Sequence, residues 1–259
     1  MTGTGGFLGS KIRRYAQIDN IASVFAVSDS VNRQNDMYAQ VTSLDLRNLG
    51  PFQDDVLVLC GADYYKGNNP KQIRLMRAYN CDYTRFVIDQ FLDGRGRKIV
   101  FFSSYMQLYA TAAEPYAEQY LETKREMLDY ISADARARVL NLYIYDNWAV
   151  DDVRSKFVPL LIQTLSNGLE FNIPSPDTLI DLCDAEALAK TIAGRCITFE
   201  EGVLSLGTGT PLSLRECAEL FIRGLGLKDR VNFGVNAPHH HFIPYSDLTL
   251  GVTLRVNLE

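Results

Sequence analysis

Nowhere in the 259 residues does an apolar run reach the roughly 18 that a membrane-crossing helix needs. No basic, apolar, small-residue leader stands at the start. Cationic excess is missing as well. Lys and Arg number 26 against 31 Asp and Glu, a net charge of −5, which excludes nucleic-acid binding by bulk positive charge. The five cysteines, Cys60, Cys81, Cys183, Cys196 and Cys217, are scattered and contain no C-x-x-C pair. They read as free thiols of a cytoplasmic protein, not as a disulfide framework or a redox motif. Histidine occurs only as His239-His240-His241. Consecutive strand residues point apart, and no matched ligand set lies nearby, so no metal is expected. Repeats, low-complexity tracts and long linkers are also lacking. The Arg95-Gly96-Arg97-Lys98 cluster, Arg136 and Arg138 read as solvated turns.

What is present is alternation. Val24–Val27, Val56–Cys60, Ile99–Phe102 and Val139–Tyr145 have the composition of short buried strands. Helical patterns lie between them at Ser10–Gln17, Lys71–Leu92 and Tyr116–Ile131. Strand followed by helix, repeated, predicts an α/β protein with a doubly wound parallel sheet. Beyond Trp148 the texture changes. Helices are expected at Phe157–Leu165, Ala185–Ile192 and Ser213–Leu225, the last with a Ser N-cap, and a strand at Val203–Leu206. The division is a first domain over 1–147 and a smaller lobe over 148–259, some of whose elements return to the first.

The chain opens Met1-Thr2-Gly3-Thr4-Gly5-Gly6-Phe7-Leu8-Gly9-Ser10. Gly3, Gly6 and Gly9 make a G-x-x-G-x-x-G spacing. A dinucleotide pyrophosphate requires a tight turn clear of side chains, then a helix N-terminus whose N–H groups face the anion. About twenty residues on, Val24–Val27 ends at Ser28-Asp29, with Arg33 nearby. An acid there favours NAD through the ribose 2′-hydroxyl. A small polar residue with a nearby Arg accepts a 2′-phosphate. Either Ser28 or Asp29 holds the key position, and NAD and NADP both stay open.

At this point the sequence resembles the extended short-chain dehydrogenase/reductase family, the sugar-nucleotide epimerases, dehydratases and 4-ketoreductases. Thr2–Gly9 is similar to the family's T-G-x-x-G-F-[IL]-G loop, and Asp45-Leu46-Arg47 to its D-[LI]-R segment. Leu59–Ala62 is similar to the strand end that lines the cofactor, and Asn80 falls where the family has an Asn in the following helix. Phe157-Val158-Pro159, Asp184, Leu206–Gly209 and Leu212–Leu214 resemble landmarks of the C-terminal lobe. The resemblance implies a Rossmann-like fold and an NAD or NADP cofactor. It places Gly3, Gly6, Phe7, Leu8, Gly9, Ser28, Asp29, Asp45, Leu46, Cys60, Gly61, Ala62, Asn80, Lys124 and Tyr143 against that cofactor. It also implies a small-molecule substrate, a nucleotide-sugar, and a homodimer paired through the helix bearing Tyr120.

Tyr120-Leu121-Glu122-Thr123-Lys124 is a Y-x-x-x-K pair on a predicted helix, and a spacing of four puts both side chains on one face. A phenol of pKa near 10 is a poor base at neutral pH. A neighbouring ammonium and a cationic nicotinamide are expected to lower it, so that Tyr120 exchanges a proton with a sugar hydroxyl or ketone as hydride moves. With 14 tyrosines in the chain the spacing alone is not specific, but it follows a predicted strand and the loop Ser103-Ser104. In the family Lys124 would also hold the nicotinamide ribose. The third catalytic group departs from the family pattern. Tyr105 stands at the Ser/Thr position and Ser104 one residue earlier, so either one binds the substrate oxygen. Ile144 replaces the usual Asn. The usual Arg of the C-terminal lobe is absent, with Asp177 or Thr178 in its place, and Arg154 and Lys156 remain as loop cations, expected to be solvated.

Only Met1 and Thr2 precede the glycine turn, too few for the strand such a fold places there. Leu250–Glu259 resembles a segment that usually leads into a last helix. The expectation is that the first strand and last helix are missing from an incomplete or wrongly started reading. The leading function is a 4-epimerase or 4-ketoreductase. The alternatives are a reductase of a non-nucleotide hydroxy or keto substrate, and a non-catalytic cofactor binder with a decayed site.

Overall fold

The computed structural model describes residues 1–3, 5–18, 51–52, 54–64, 69–108, 115–238 and 249–251. The expected strand Val24–Val27 and the residues Ser28, Asp29, Arg33, Asp45, Leu46 and His239–His241 lie outside the described residues.

The chain divides into two units, 1–107 with 114–143 and 189–204, and 108–113 with 144–188 and 205–259. In the first unit, α1 (Phe7–Ile18) follows the glycine turn. Strand β1 (Val56–Leu59) pairs in parallel with β2 (Lys98–Ser104), Val58 facing Val100. Next in the sheet are β3 (Arg138–Ile144) and the first half of β8 (Gly202–Gly207). Leu57, Leu59, Ile99 and Phe101 point to one face and pack with Val87, Ile88, Phe91, Met127 and Ile131. Alternation sends Val58, Val100 and Phe102 to the other face, where they too are buried. The sheet is therefore covered on both faces, as the apolar runs require.

The single helix expected over Lys71–Leu92 is three pieces. These are α2 (Pro70–Arg77), a π-helical turn (Ala78–Tyr83) and α3 (Thr84–Asp93). The side chain of Asn69 caps α2, accepting from the Lys71 N–H at 2.9 Å, and Pro70 occupies the first turn where its missing N–H is harmless. A π turn adds a residue to the helical repeat and so rotates the faces of α3 relative to those of α2. Its side chains Asn80, Cys81 and Tyr83 are buried. Helix α4 (Pro115–Ala133) lies over this turn and β2. Its Glu126 bridges Arg77 and Arg85 at 2.6 Å each. Of the basic cluster, Arg95 is exposed in a turn, whereas Arg97 is half-buried, the half-buried Lys98 opens β2 and the exposed Arg138 opens β3, because the strands start at these residues. Arg95 takes a φ of 72°, and Arg136 pairs with Asp134 and Asp93.

The second unit contains β4 (Asp146–Trp148), α5 (Phe157–Ser166), β5 (Phe171–Ile173), β6 (Leu179–Ile180) and β7 (Leu182–Asp184). Helix α6 (Ala185–Thr198) begins here and ends in the first unit. Then come β9 (Leu212–Ser213), α7 (Leu214–Gly224), β10 (Val231–Phe233) and β11 (Thr249–Gly251). β11 pairs in parallel with the second half of β8. The expected Ser cap is a full capping box. The Ser213 hydroxyl accepts from the Glu216 N–H at 3.1 Å, and Glu216 accepts from the Ser213 N–H at 2.8 Å. The core joins Trp148, Leu161, Leu165, Leu182 and Phe221, the two aromatic rings meeting edge-on at 4.6 Å.

Candidate active site

Three glycines let backbone meet backbone at the start of the chain. The Thr2 N–H donates to the Val58 carbonyl at 2.9 Å, and Thr2 forms an isolated parallel bridge with Leu59. The chain then turns sharply. Gly3 has φ +66°, and a Cβ there would stand 2.5 Å from the Gly61 backbone. A Cβ on Gly9 would overlap the Gly3 carbonyl oxygen, and one on Gly61 would lie 2.8 Å from the Tyr79 hydroxyl. The Gly6 N–H closes the turn on the Gly3 carbonyl at 3.0 Å, and the Ser10 N–H starts the helical ladder on Gly6 at 2.9 Å. Phe7 and Leu8 thus open α1, where the first N–H groups have no intrahelical acceptor and the helix dipole is positive.

Beneath the turn, the Cys60 thiol donates to the Thr2 carbonyl at 2.8 Å, and the Gly61 N–H donates to the Thr2 hydroxyl at 3.3 Å. Burial pushes the Cys60 thiol up to about 12, so it packs as a neutral group. Ala62 is exposed beside the half-buried Gly61. Asn80, inside the π turn, spends its amide on the protein. Its Oδ1 accepts from the Asp63 N–H at 2.7 Å, and its Nδ2 donates to the Asp63 carbonyl at 2.9 Å and the Thr123 hydroxyl at 3.1 Å. It therefore shapes the segment that carries Gly61. The resemblance implies a place for Asn80 at the cofactor but says nothing of these partners.

Tyr120 and Lys124 stand one turn apart on α4, as their spacing predicts. Lys124 is buried and donates from Nζ to the Phe102 carbonyl at 2.8 Å. Its Nζ lies 5.2 Å from the Phe101 ring centroid and 5.7 Å from that of Tyr120. Burial brings the ammonium down to about 8. The expected lowering of the Tyr120 phenol by its neighbour is not what the protein alone produces. The shift runs the other way. Burial holds it well above the ordinary tyrosine range, and Tyr64 adds to this. Thr123, between the pair, donates to the Tyr120 carbonyl at 2.6 Å.

Lys124 ties α4 to the end of β2, where Ser103 precedes the two candidate hydroxyls, Ser104 and Tyr105. Ser103 turns inward and donates to Asn141 of β3 at 2.7 Å. The Ser104 hydroxyl accepts from the Met106 N–H at 3.3 Å, and the Ser104 N–H donates to Gln107 at 2.9 Å, which starts a 3₁₀ turn over Tyr105–Leu108. Tyr105 and, on β3, Tyr143 are half-buried. In the second unit, Arg154 departs from the expectation of a solvated cation. It is half-buried and grips Asp152 with two nitrogens, at 2.8 and 2.7 Å, while Lys156 pairs with Asp146 at 3.3 Å. Asn141, Asp152 and Tyr64 belong to no sequence motif, because a single chain does not reveal which segments meet in the fold. Thr123 lies inside the Y-x-x-x-K motif and is legible there.

No protein-family model matches the chain, and no curated protein sequence matches it. Its fold, by contrast, is the Rossmann-like fold of solved nucleotide-sugar enzymes. The chain is similar to the UDP-N-acetylglucosamine 4-epimerase from Bacillus cereus, with a TM-score of 0.71 at 18% identity over 95% of this chain and 88% of that one. It is similar to a UDP-glucose-4-epimerase from Stenotrophomonas maltophila with bound NAD and formylated UDP-arabinopyranose, at TM-score 0.69 and 17% identity over 98% and 88%. A GDP-D-glycero-L-gluco-heptose synthase from Campylobacter jejuni, solved in the presence of NADPH, matches at TM-score 0.69 and 14% identity over 92% and 87%. No helix among the described residues is long and apolar enough to cross a membrane.

Proposed function

We propose that this chain is a member of the extended short-chain dehydrogenase/reductase family and acts on a nucleotide-linked sugar, as an NAD(P)-dependent 4-epimerase or 4-ketoreductase. The observation that carries the reading is Lys124, a buried ammonium held on the Phe102 carbonyl one helical turn from Tyr120. The glycine cradle of the same unit supports it. Side chains at Gly3, Gly9 and Gly61 would fill the turn, so the residues present fit a dinucleotide. Gly6, Phe7 and Leu8 would hold the pyrophosphate at the start of α1. Ser28 or Asp29, with Asp45 and Leu46, would take the ribose and adenine. The cofactor, when bound, supplies or accepts the hydride.

The chain's residues do the rest. Tyr120 holds the proton at its Oη, gives it to a ketone oxygen in reduction and takes it from a hydroxyl in oxidation. Lys124 presents positive charge beside that oxygen and reaches the nicotinamide ribose. Ser104 or Tyr105 donates a hydrogen bond to the substrate oxygen. A homodimer through α4 belongs to this reading, and sedimentation reads it out.

Fluorescence titration with NADH and with NADPH tests the cofactor, and saturable binding of one of them identifies it. Tyr120→Phe should cut turnover by several powers of ten with cofactor binding unchanged. Retained turnover removes the assignment. A second reading, a keto or hydroxy substrate without a nucleotide, is favoured by one observation. The two loop cations of the second unit, Arg154 and Lys156, are already engaged by Asp152 and Asp146. Saturable binding of UDP or GDP would count against it.

A further inference from the structure

The segment that leaves β1 carries a tyrosine to which the proposed chemistry gives no part. The Tyr64 ring meets the Tyr120 ring edge-on, with centroids 4.9 Å apart and planes at 76°. This is the arrangement in which the positive edge of one ring meets the negative face of another. The two residues are far apart in the chain, and one amide connects the segments that bear them. Asn80 binds both the N–H and the carbonyl of Asp63, the residue before Tyr64, at 2.7 and 2.9 Å. The same Nδ2 reaches the Thr123 hydroxyl at 3.1 Å, and that hydroxyl donates to the Tyr120 carbonyl at 2.6 Å. The π turn places Asn80 there, and such turns are frequent at functional sites.

We propose that Tyr64 is a positioning residue which, set in place through Asn80, fixes the Tyr120 ring and shields it from water, favouring Tyr120 as the proton donor in ketone reduction. The inference rests on the acid/base reading of Tyr120. Among the described residues, the titratable groups set against the ring are Tyr64, from the segment after β1, and Lys124, from α4 itself. Burial acts to keep the phenol protonated, Tyr64 adds to this once it is itself ionised, and Lys124 is the group that titrates first on raising pH. Tyr64 is 38% exposed, so it can be replaced without opening the core.

The test uses the full chain labelled with 13C at tyrosine Cζ and followed by NMR as pH rises, with Tyr120→Phe assigning the Tyr120 signal. In the unaltered chain Tyr120 should stay protonated where ordinary tyrosines ionise, near pH 10. Tyr64→Ala should bring its titration down by at least one pH unit, and Tyr64→Phe, which keeps the ring, by less. An unchanged Tyr120 titration in Tyr64→Ala overturns the proposal. In turnover, Tyr64→Ala should lower kcat about tenfold with KM for the cofactor unchanged, and an unchanged kcat also overturns it. If the unaltered chain turns nothing over, the enzyme reading falls while the NMR titration still decides whether Tyr64 sets Tyr120.

Discussion

Each unit buries a charge, and the two charges are answered differently. In the second unit the Asp152 carboxylate has no exposed side-chain surface, and Arg154 meets both of its oxygens, at 2.8 and 2.7 Å. The guanidinium also donates to the Asn147 carbonyl at 2.7 Å, so the cluster is closed on itself. In the first unit Lys124 is as deeply placed but faces a neutral carbonyl at 2.8 Å. A carboxylate in a bidentate pair recovers much of its desolvation cost, whereas an ammonium against a carbonyl recovers less and shifts towards its neutral form. Asp181 stands between the two cases. Three donors from Thr208 and Gly209 meet it at 2.8 to 3.2 Å, yet burial still raises its pKa. A fully answered buried charge marks architecture. On the proposed reading, the under-answered charge of Lys124 beside Tyr120 is the one that serves chemistry.

The sharpest way to break this contrast is to neutralise both charges. Lys124→Met should cut turnover by about three powers of ten or more and leave stability at pH 7 unchanged or raised, because a costly buried ammonium is gone. Asp152→Ala should do the reverse for the fold and cost about 3 kcal/mol in urea unfolding, because the half-buried Arg154 loses its carboxylate counter-charge. Equal stability losses for the two would dissolve the distinction.

The glycine turn makes a comparable pair within the first unit. Gly9→Ala should cost a few kcal/mol and abolish cofactor binding, since its Cβ would overlap the Gly3 carbonyl oxygen. Gly5→Ala meets no atom within 4 Å and should leave stability within about 0.5 kcal/mol of the parent.

A smaller effect comes from pH. Between pH 8 and 10.5 the unfolded chain still holds the Lys124 proton that the folded chain has released, so this group makes stability rise with pH. The raised thiols of Cys60, Cys81, Cys183, Cys196 and Cys217 act in the opposite direction above pH 9. The informative quantity is therefore the difference between Lys124→Met and the parent. Its advantage should shrink by about 2 kcal/mol from pH 7 to 10. A pH-independent difference would mean that Lys124 is not the shifted group. In the second unit, Ser213→Ala removes a capping box and should cost about 1 kcal/mol without touching turnover.

How much of the fold and site is legible in the sequence depends on range. The Ser213 cap and the Tyr120–Lys124 face lie within one or two helical turns, and spacing alone places them. The strands β1, β2 and β3 are readable from apolar runs whose burial on both faces needs no partner to be named. Lys71–Leu92 reads as one helix because a period of 3.6 averages over a single inserted residue, and only the packing of Asn80 against Asp63 and Thr123 reveals the π turn. Tyr64 carries no signal, being one of 14 tyrosines and without a motif of its own. Arg154 reads as solvated because Asp152 and Asn147 become its partners only once the loop after β4 folds back.

The sequence by itself determined the α/β alternation, the side-chain-free turn before α1 and the four-residue step from Tyr120 to Lys124. These come from local sterics and helical geometry. Tertiary structure alone decided what each group faces. Lys124 ends on the Phe102 carbonyl, Asn80 on Asp63, and the Tyr64 edge on Tyr120. Burial and partner are properties of distant segments brought together, and they set whether an ammonium keeps its proton and whether a phenol stays protonated.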